Sequence, residues 1–384
     1  MTALAVFLCV AQTPLVVVSV DGLDHRYLRD ARQLGLRVPH MTRIVRQGLW
    51  ADGVVGVLST VTWPSHTTLI TGKRPDEHGI RGNRRPREEG GDYYWSAKLL
   101  QAPTLWHATR KAGLRSAAIT WPVTVDADID LNLPEAFSRR KGGWMDLATI
   151  RAKATPGLVE KIIAFDPSFE QEWMDDRTRA LAAVYFLKKE RVDLILLHFV
   201  DHDAVAHEHG PFTPEALAEL ERTDLYLGQI MAAAPPSATI CLTADHGFER
   251  IERLINAAAL PGQKRVLGGV LFALDEIAAA AAPRTEGVGR EVPAAEVARF
   301  APFMTNYVAA FEPAPHHQFT YSLSAAELYL PPSEKGNHGQ WPLRADYRST
   351  FALWRRGMRP ERLPEMDMLA IAPQLAAILR VRLH

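Results

Sequence analysis

The chain has 384 residues, 47% of them hydrophobic and 23% charged, ordinary values for a globular protein with a sizeable core. That length exceeds a usual single domain, so one large α/β domain with a smaller insertion, or two domains, is expected. Lysine plus arginine equal aspartate plus glutamate at 44 each, which gives no basis for a nucleic-acid polymer or an anionic membrane as partner and leaves any anion binding to a local site.

Ala3 to Ala11 is a short apolar segment with no Lys or Arg before it. It resembles the hydrophobic part of an export signal with Ala11 as the cleavage point, so residues 1–14 are read as an export signal and the protein as periplasmic or secreted, with the cytoplasm as the alternative. No other run is long and uncharged enough for a membrane span. With Cys9 and Cys241 the only cysteines, a Cys-based metal cluster or a disulfide framework is excluded, and Cys241 reads as a small buried hydrophobe.

Leu15 to Val20 is a mostly β-branched apolar run ending at Asp21-Gly22, which predicts a strand buried on both faces and then a turn. Met41 to Gln47 predicts a short helix stopped by Gly48. Ser59 to Ile80 joins a hydroxyl-rich loop to a Trp-Pro-Ser turn and a helix with Pro64 at its first position. Arg81 to Gly91 reads as a loop; Pro103-Thr104 opens a helix, and Arg115 to Trp121 follows as a strand. Pro122 to Phe169 has weak patterning, with one helix near Leu158 to Ala164. Thr178 to Glu190 (helix), Leu194 to Val200 (strand), Pro214 to Met231 (helix) and Ala238 to Ala244 (strand) complete an alternation that predicts a mostly parallel central sheet with helices on both faces. Phe248 to Lys335 is Ala-rich and Pro-punctuated, and Ile371 to Leu379 reads as a last surface helix. The expected organisation is a catalytic core over 15–250 and 336–384 with a smaller accessory or cap region at 251–335.

Three apolar runs end in acids, at Asp21, at Asp201 to Asp203 and at Asp245. Ligands of open α/β sheets bind outside the carboxyl ends of the strands, so these acids are expected to converge. Asp203 and His207 are four apart, on one face of a helical turn. Asp245 and His246 are adjacent and followed by Gly247, whose access to positive φ lets the two side chains point the same way. His338 lies between Gly336 and Gly339 in an expected tight turn. Three carboxylates and three imidazoles suit Zn²⁺ and accept Mn²⁺, and six ligands divide into two sites of three. Two such ions clamp the attacking and leaving oxygens of phosphoryl transfer, and Thr62, ahead of a helix N-terminus that attracts phosphate, is the candidate nucleophile. His66 and His198 are among the histidines read as surface, packing or capping residues; His78, His202 and His209 lie inside or beside the motifs.

These residues resemble the alkaline phosphatase superfamily and, within it, the type I phosphodiesterase or nucleotide pyrophosphatase/phosphodiesterase family. The matching pieces are VVVSVDG at Val16 to Gly22, TWPSHTTLITGKRPDEHGI at Thr62 to Ile80, PTLWHATRKAGLRSAAITWP at Pro103 to Pro122, DAVAHEHGP at Asp203 to Pro211, LTADHG at Leu242 to Gly247 and GNHG at Gly336 to Gly339. The resemblance implies an alkaline-phosphatase-like fold. It also implies that Asp21, Asp245 and His246 hold one Zn²⁺ together with Thr62, and Asp203, His207 and His338 the other. Thr62 would form a covalent phospho-threonine, and Asn83 would donate to a phosphoryl oxygen. Ser65 departs from the family, where relatives often carry Asn, and Trp63 takes the place of an aromatic that can stack on a nucleobase or aryl leaving group.

The expected activity is hydrolysis of phosphodiesters or nucleotide pyrophosphates, with a small phosphorylated molecule as substrate. A phosphomonoesterase of the same superfamily is the alternative, for which Arg139, Arg140 and Lys141 can supply the added positive charge. A sulfatase lacks its Cys/Ser-x-Pro-x-Arg motif here, and a non-catalytic binding module would need a missing ligand. Nucleotides, lipid head groups and phosphonates remain open as substrates.

Overall fold

The computed structural model describes residues 13–137 and 145–383. The export segment at Ala3 to Ala11 and the basic triplet Arg139, Arg140 and Lys141 lie outside these residues.

Eight strands form the main sheet, in the order Glu361–Leu363, Leu49–Ala51, Phe351–Trp354, Thr239–Thr243, Leu15–Val20, Leu194–Phe199, Ser116–Ile119, Leu131–Leu133. Phe351–Trp354 runs antiparallel to both its neighbours, and every other pairing is parallel. Leu15–Val20 is central and every residue in it is buried, because successive side chains enter opposite layers. Val16, Val18 and Val20 pack with Ala180, Ala183 and Phe186 of the helix Asp176–Lys189 and with Leu220, Leu227 and Ile230 of the helix Pro214–Ala233. Leu15 and Val17 pack on the other side with Leu69 and Ile70 of the helix Thr62–Thr71 and with Leu375 and Leu379 of the helix Ile371–Leu379. Cys241 is buried in that second layer, as read from the sequence.

Several elements differ from the expectation. The helix at the opening motif starts at Thr62, so Pro64 is its third residue rather than its first. Proline is still accommodated, because the first amide bonded back within the helix is that of Ser65, on the Val61 carbonyl. The strand Leu131–Leu133 and the helix Leu147–Lys153 stand in the weakly patterned stretch. Leu49–Ala51, Phe351–Trp354 and Glu361–Leu363 are three- or four-residue strands, too short for a periodicity to register. The last helix, by contrast, spans Ile371–Leu379 as expected and buries one face against the sheet.

Beyond the strand Thr239–Thr243 the chain builds a separate four-stranded antiparallel sheet, in the order Lys264–Leu267, Val270–Ala273, Ala309–Pro313, Val288–Glu291. A three-stranded sheet of His317–Thr320, Arg253–Asn256 and Tyr329–Leu330 lies beside it. Leu58 and Trp341 join the apolar cluster of the four-stranded sheet and tie this region to the loop that leads into Thr62.

The close contact at Gly48 is testable. An added Cβ there would lie 2.0 Å from the Leu353 carbonyl oxygen and 2.6 Å from that of Ile44. Gly48→Ala is expected to cost about 1–3 kcal/mol, the range of overpacking substitutions, read as a lower denaturant midpoint at unchanged m-value.

Candidate active site

The three acid-tipped strands are neighbours: Ser19 pairs with His198 on one side and with Thr243 on the other. Asp21, the start of the helix Asp201–His209, and Asp245 therefore emerge level at one edge of the sheet. That helix places Asp203 and His207 on one face, with His207 Nε2 3.4 Å from Asp203 Oδ2. His207 is oriented from behind by Glu334, whose Oε2 lies 2.9 Å from its Nδ1.

His338 arrives differently from the expected turn. Gly336–Asn337 is a short strand paired antiparallel with Glu249–Arg250, and the Lys335 amide donates to the His207 carbonyl at 2.9 Å. His338 stacks on His246 with ring centroids 3.7 Å apart. Gly247 also differs: it is not at positive φ, and glycine is required there because a Cβ would meet Asp24 Oδ2 at 2.8 Å and the Arg348 amide nitrogen at 3.0 Å.

His246 Nε2 lies 3.1 Å from Asp245 Oδ2 and 3.2 Å from Asp21 Oδ1, and the Gly22 amide fixes Asp245 through Oδ1 at 3.1 Å. Two groups of potential metal ligands result, Asp21 with Asp245 and His246, and Asp203 with His246 and His338, each with one atom per residue within 4.8 Å of the others. The first is the set expected from sequence. In the second, His246 stands where His207 was expected, while His207 remains in contact with Asp203.

The electrostatics are those of crowded buried carboxylates. Burial and the Asp21 charge push Asp245 well above the usual carboxylate range and Asp203 up to about 6. Burial opposes the charge on Asp21, but the bond to His198 and the adjacent His246 outweigh it and hold that carboxyl low. His246 rises to about 9 because Asp245 and Asp21 overcome its burial, whereas burial and the neighbouring imidazoles drive His338 down. Asp21 Oδ1, Asp203 Oδ1, Asp245 Oδ2 and His246 Nε2 are buried and make no hydrogen bond of adequate geometry, although His246 Nε2 approaches the Asp21 and Asp245 oxygens as an ion pair. Buried polar atoms are rarely left so, and four of them on hard-oxygen and imidazole donors fit a divalent cation centre.

Thr62 and Asn83 line one cleft with Asp21, Asp203, His207 and His338, and its volume is about 890 Å³. Asn83 Oδ1 accepts the Trp63 amide at 3.1 Å, which leaves its N–H₂ as the donor group beside Thr62. Trp63 itself is only 3% exposed, 5.0 Å from Tyr93 and 6.0 Å from Phe137 between ring centroids, so it backs an aromatic wall rather than forming it alone.

Two functional contacts escape the sequence reading. His198 is a support of Asp21, with Nε2 3.0 Å from Asp21 Oδ2 and Nδ1 3.5 Å from Glu135 Oε2. Burial disfavours its charge, yet Asp21 and Glu135 together raise it to about 10. His66 bonds the Thr62 carbonyl at 2.9 Å and Ser19 Oγ at 2.9 Å. For His198 a signal exists, an imidazole inside the otherwise apolar run LILLHF; Glu135 lies in unpatterned sequence and has none.

The large, mostly parallel sheet with helices on both faces, which gathers three aspartates and the histidines at its carboxyl edge, is an alkaline-phosphatase-like fold. The chain belongs to the type I phosphodiesterase / nucleotide pyrophosphatase family, whose model matches residues 15–335, a span holding every site residue but His338. It is 25% identical over 254 residues to a venom phosphodiesterase of Macrovipera lebetinus, covering 62% of this chain and 26% of that protein. It is 27% identical over 259 residues to ectonucleotide pyrophosphatase/phosphodiesterase family member 5 of Homo sapiens, covering 64% of this chain and 47% of that protein. The chain thus spans between about a quarter and a half of these curated relatives. The solved murine ectonucleotide pyrophosphatase/phosphodiesterase 5 superposes with a TM-score of 0.70 at 19% identity, over 97% of this chain and 96% of that one. An inactive threonine-to-alanine variant of the murine protein in complex with AMP gives 0.68 at 19% identity, with the same coverage.

Proposed function

We propose that this protein is a two-metal phosphoesterase that hydrolyses phosphodiesters or nucleotide pyrophosphates through a phospho-threonine on Thr62. The observation that carries this reading is the cluster of buried ligand atoms on Asp21, Asp203, Asp245 and His246 that make no adequate hydrogen bond, beside a cleft lined by Thr62 and Asn83. Asp21, Asp245 and His246 with Thr62 would hold one cation, and Asp203, His207 and His338 the other, with Zn²⁺ the best match to these donors and Mn²⁺ the next. Two such ions, when bound, supply positive charge to the attacking and leaving oxygens.

The chain's own residues do the rest. Thr62 Oγ1 gives its proton to solvent and bonds to phosphorus as the leaving-group oxygen departs and is protonated from solvent; a water oxygen then attacks phosphorus, losing a proton to solvent, and the P–Oγ1 bond breaks as Thr62 Oγ1 is reprotonated. The Asn83 N–H₂ donates to a non-bridging oxygen, which gains charge along the path. Tyr93 and Phe137, backed by Trp63, offer an aromatic leaving group a surface to stack on. The AMP complex of the inactive threonine variant of the murine relative supports both the nucleophile and a nucleotide as substrate. We assign 15–250 and 336–384 to the catalytic core and 251–335 to a cap that shapes the leaving-group side. Relatives described as venom and ecto-enzymes support export to the periplasm or the cell exterior; no helix among the described residues is long and apolar enough to cross a membrane.

The rate on bis-p-nitrophenyl phosphate is expected to exceed that on p-nitrophenyl phosphate in steady-state assays with Zn²⁺ or Mn²⁺ present. A hundredfold preference for the monoester, roughly 2.7 kcal/mol of transition-state binding, would reverse the assignment to phosphodiesters.

A further inference from the structure

A second cavity, of about 480 Å³ and more enclosed than the catalytic cleft, lies between the segment Val57, Leu58 and Ser59 and the accessory region. It shares no lining residue with that cleft. Four arginines, Arg74, Arg81, Arg265 and Arg299, line it against two aspartates, Asp76 and Asp367, so two positive charges are in excess. Two of the four are engaged. Arg299 Nη2 lies 3.0 Å from Asp367 Oδ2 with its guanidinium 4.7 Å from the Phe300 ring centroid, and Arg74 donates to the Arg299 carbonyl oxygen. Arg81 and Arg265 have no ion-pair partner among the described residues.

The remaining wall is apolar, built from Leu58, Leu267 and Phe303, and Phe303 stays 55% exposed. An unpartnered guanidinium recognises an oxyanion through its donor fork, while an aliphatic and aromatic wall recognises a hydrocarbon body. A cavity of this volume falls in the range of small-molecule sites. We propose that it is a second binding site, for a small amphipathic anion whose phosphate or carboxylate group is held by Arg81 and Arg265 and whose apolar body lies against Leu58, Leu267 and Phe303. Nothing in this assignment depends on the reaction at Thr62.

Fluorescence titration of the full chain with anilinonaphthalene sulfonate, an aromatic anion, tests it, with n-decyl phosphate and decyltrimethylammonium as competitors. The expected result is saturable binding at one site per chain, displaced by the alkyl phosphate and not by the alkyl cation. Arg265→Glu and Phe303→Asp are each expected to weaken it at least tenfold; both side chains are exposed, so the fold tolerates the changes. Thr62→Ala is expected to bind the probe as the parent does. Unchanged affinity in either surface variant, equal displacement by the cation, or loss of binding in Thr62→Ala would overturn the proposal.

Discussion

Thr62→Ala is expected to lower turnover of bis-p-nitrophenyl phosphate by roughly 10⁴-fold or more, the scale on which removing a nucleophile acts. The helix Thr62–Thr71 carries other hydroxyls, and the structure separates them. Thr67 Oγ1 donates to the Trp63 carbonyl at 2.8 Å, Thr71 Oγ1 to that of Thr67 at 2.7 Å, and Thr68 Oγ1 to that of Lys73 at 2.9 Å. Ser65 is fully buried and lies off the cleft. Thr62 Oγ1 has no hydrogen-bond partner among the described residues and faces the cleft at the helix's first position, where the peptide dipoles favour an incoming phosphate. The six carboxylate and imidazole ligands are untouched by the substitution, so metal content is expected to stay at the parent level while the pre-steady-state burst disappears. Rapid-quench kinetics with metal analysis check both. Retained turnover in this variant would remove Thr62 from the chemistry and leave a water as the attacking group.

How much of this was legible in the sequence depends on the length scale of each feature. The buried strands at Leu15–Val20, Leu194–Phe199 and Thr239–Thr243 stand out because both faces are covered and the runs are largely apolar and β-branched or aliphatic. Their acidic ends follow from the same reading, since neighbouring parallel strands bring their carboxyl ends to one edge. The strands Leu49–Ala51 and Glu361–Leu363 are too short to leave a pattern, and the pairing of Leu49–Ala51 with Phe351–Trp354 on one side and Glu361–Leu363 on the other is a long-range event. The same holds for the supports of the site. His198 reaches Asp21 across a strand pair, and Glu135 reaches His198 from an irregular segment, so neither pairing exists until the sheet forms. The position of His338 depends on a two-residue strand against Glu249–Arg250, and local Gly-flanked sequence points instead to a turn.

Exhaustive chelation is expected to abolish hydrolysis and to lower the thermal midpoint by several degrees, with Zn²⁺ restoring both. Asp245 is fully buried, Asp21 is 2% exposed, and one oxygen of each converges on His246 Nε2, at 3.1 and 3.2 Å. Carboxylates so placed repel one another and lose hydration, and a partner of opposite charge is what offsets that cost. A cation at about 1,000 times its dissociation constant stabilises the native state by about 4 kcal/mol if it ignores the unfolded chain. Asp245→Asn separates this account from one in which the cluster is purely structural. The amide keeps an oxygen for the Gly22 N–H and cannot ionise, whereas burial and Asp21 already disfavour the charge on Asp245 in the metal-free parent, so the metal-free variant is expected to melt no lower than the metal-free parent. Its response to Zn²⁺ is expected to shrink to a small fraction of the parent's, because one charged ligand is gone. A structural cluster predicts the reverse pattern, a variant that melts lower without metal and a parent whose midpoint ignores both chelator and Zn²⁺. Differential scanning calorimetry on the two proteins, with and without metal, distinguishes these signs without reference to catalysis.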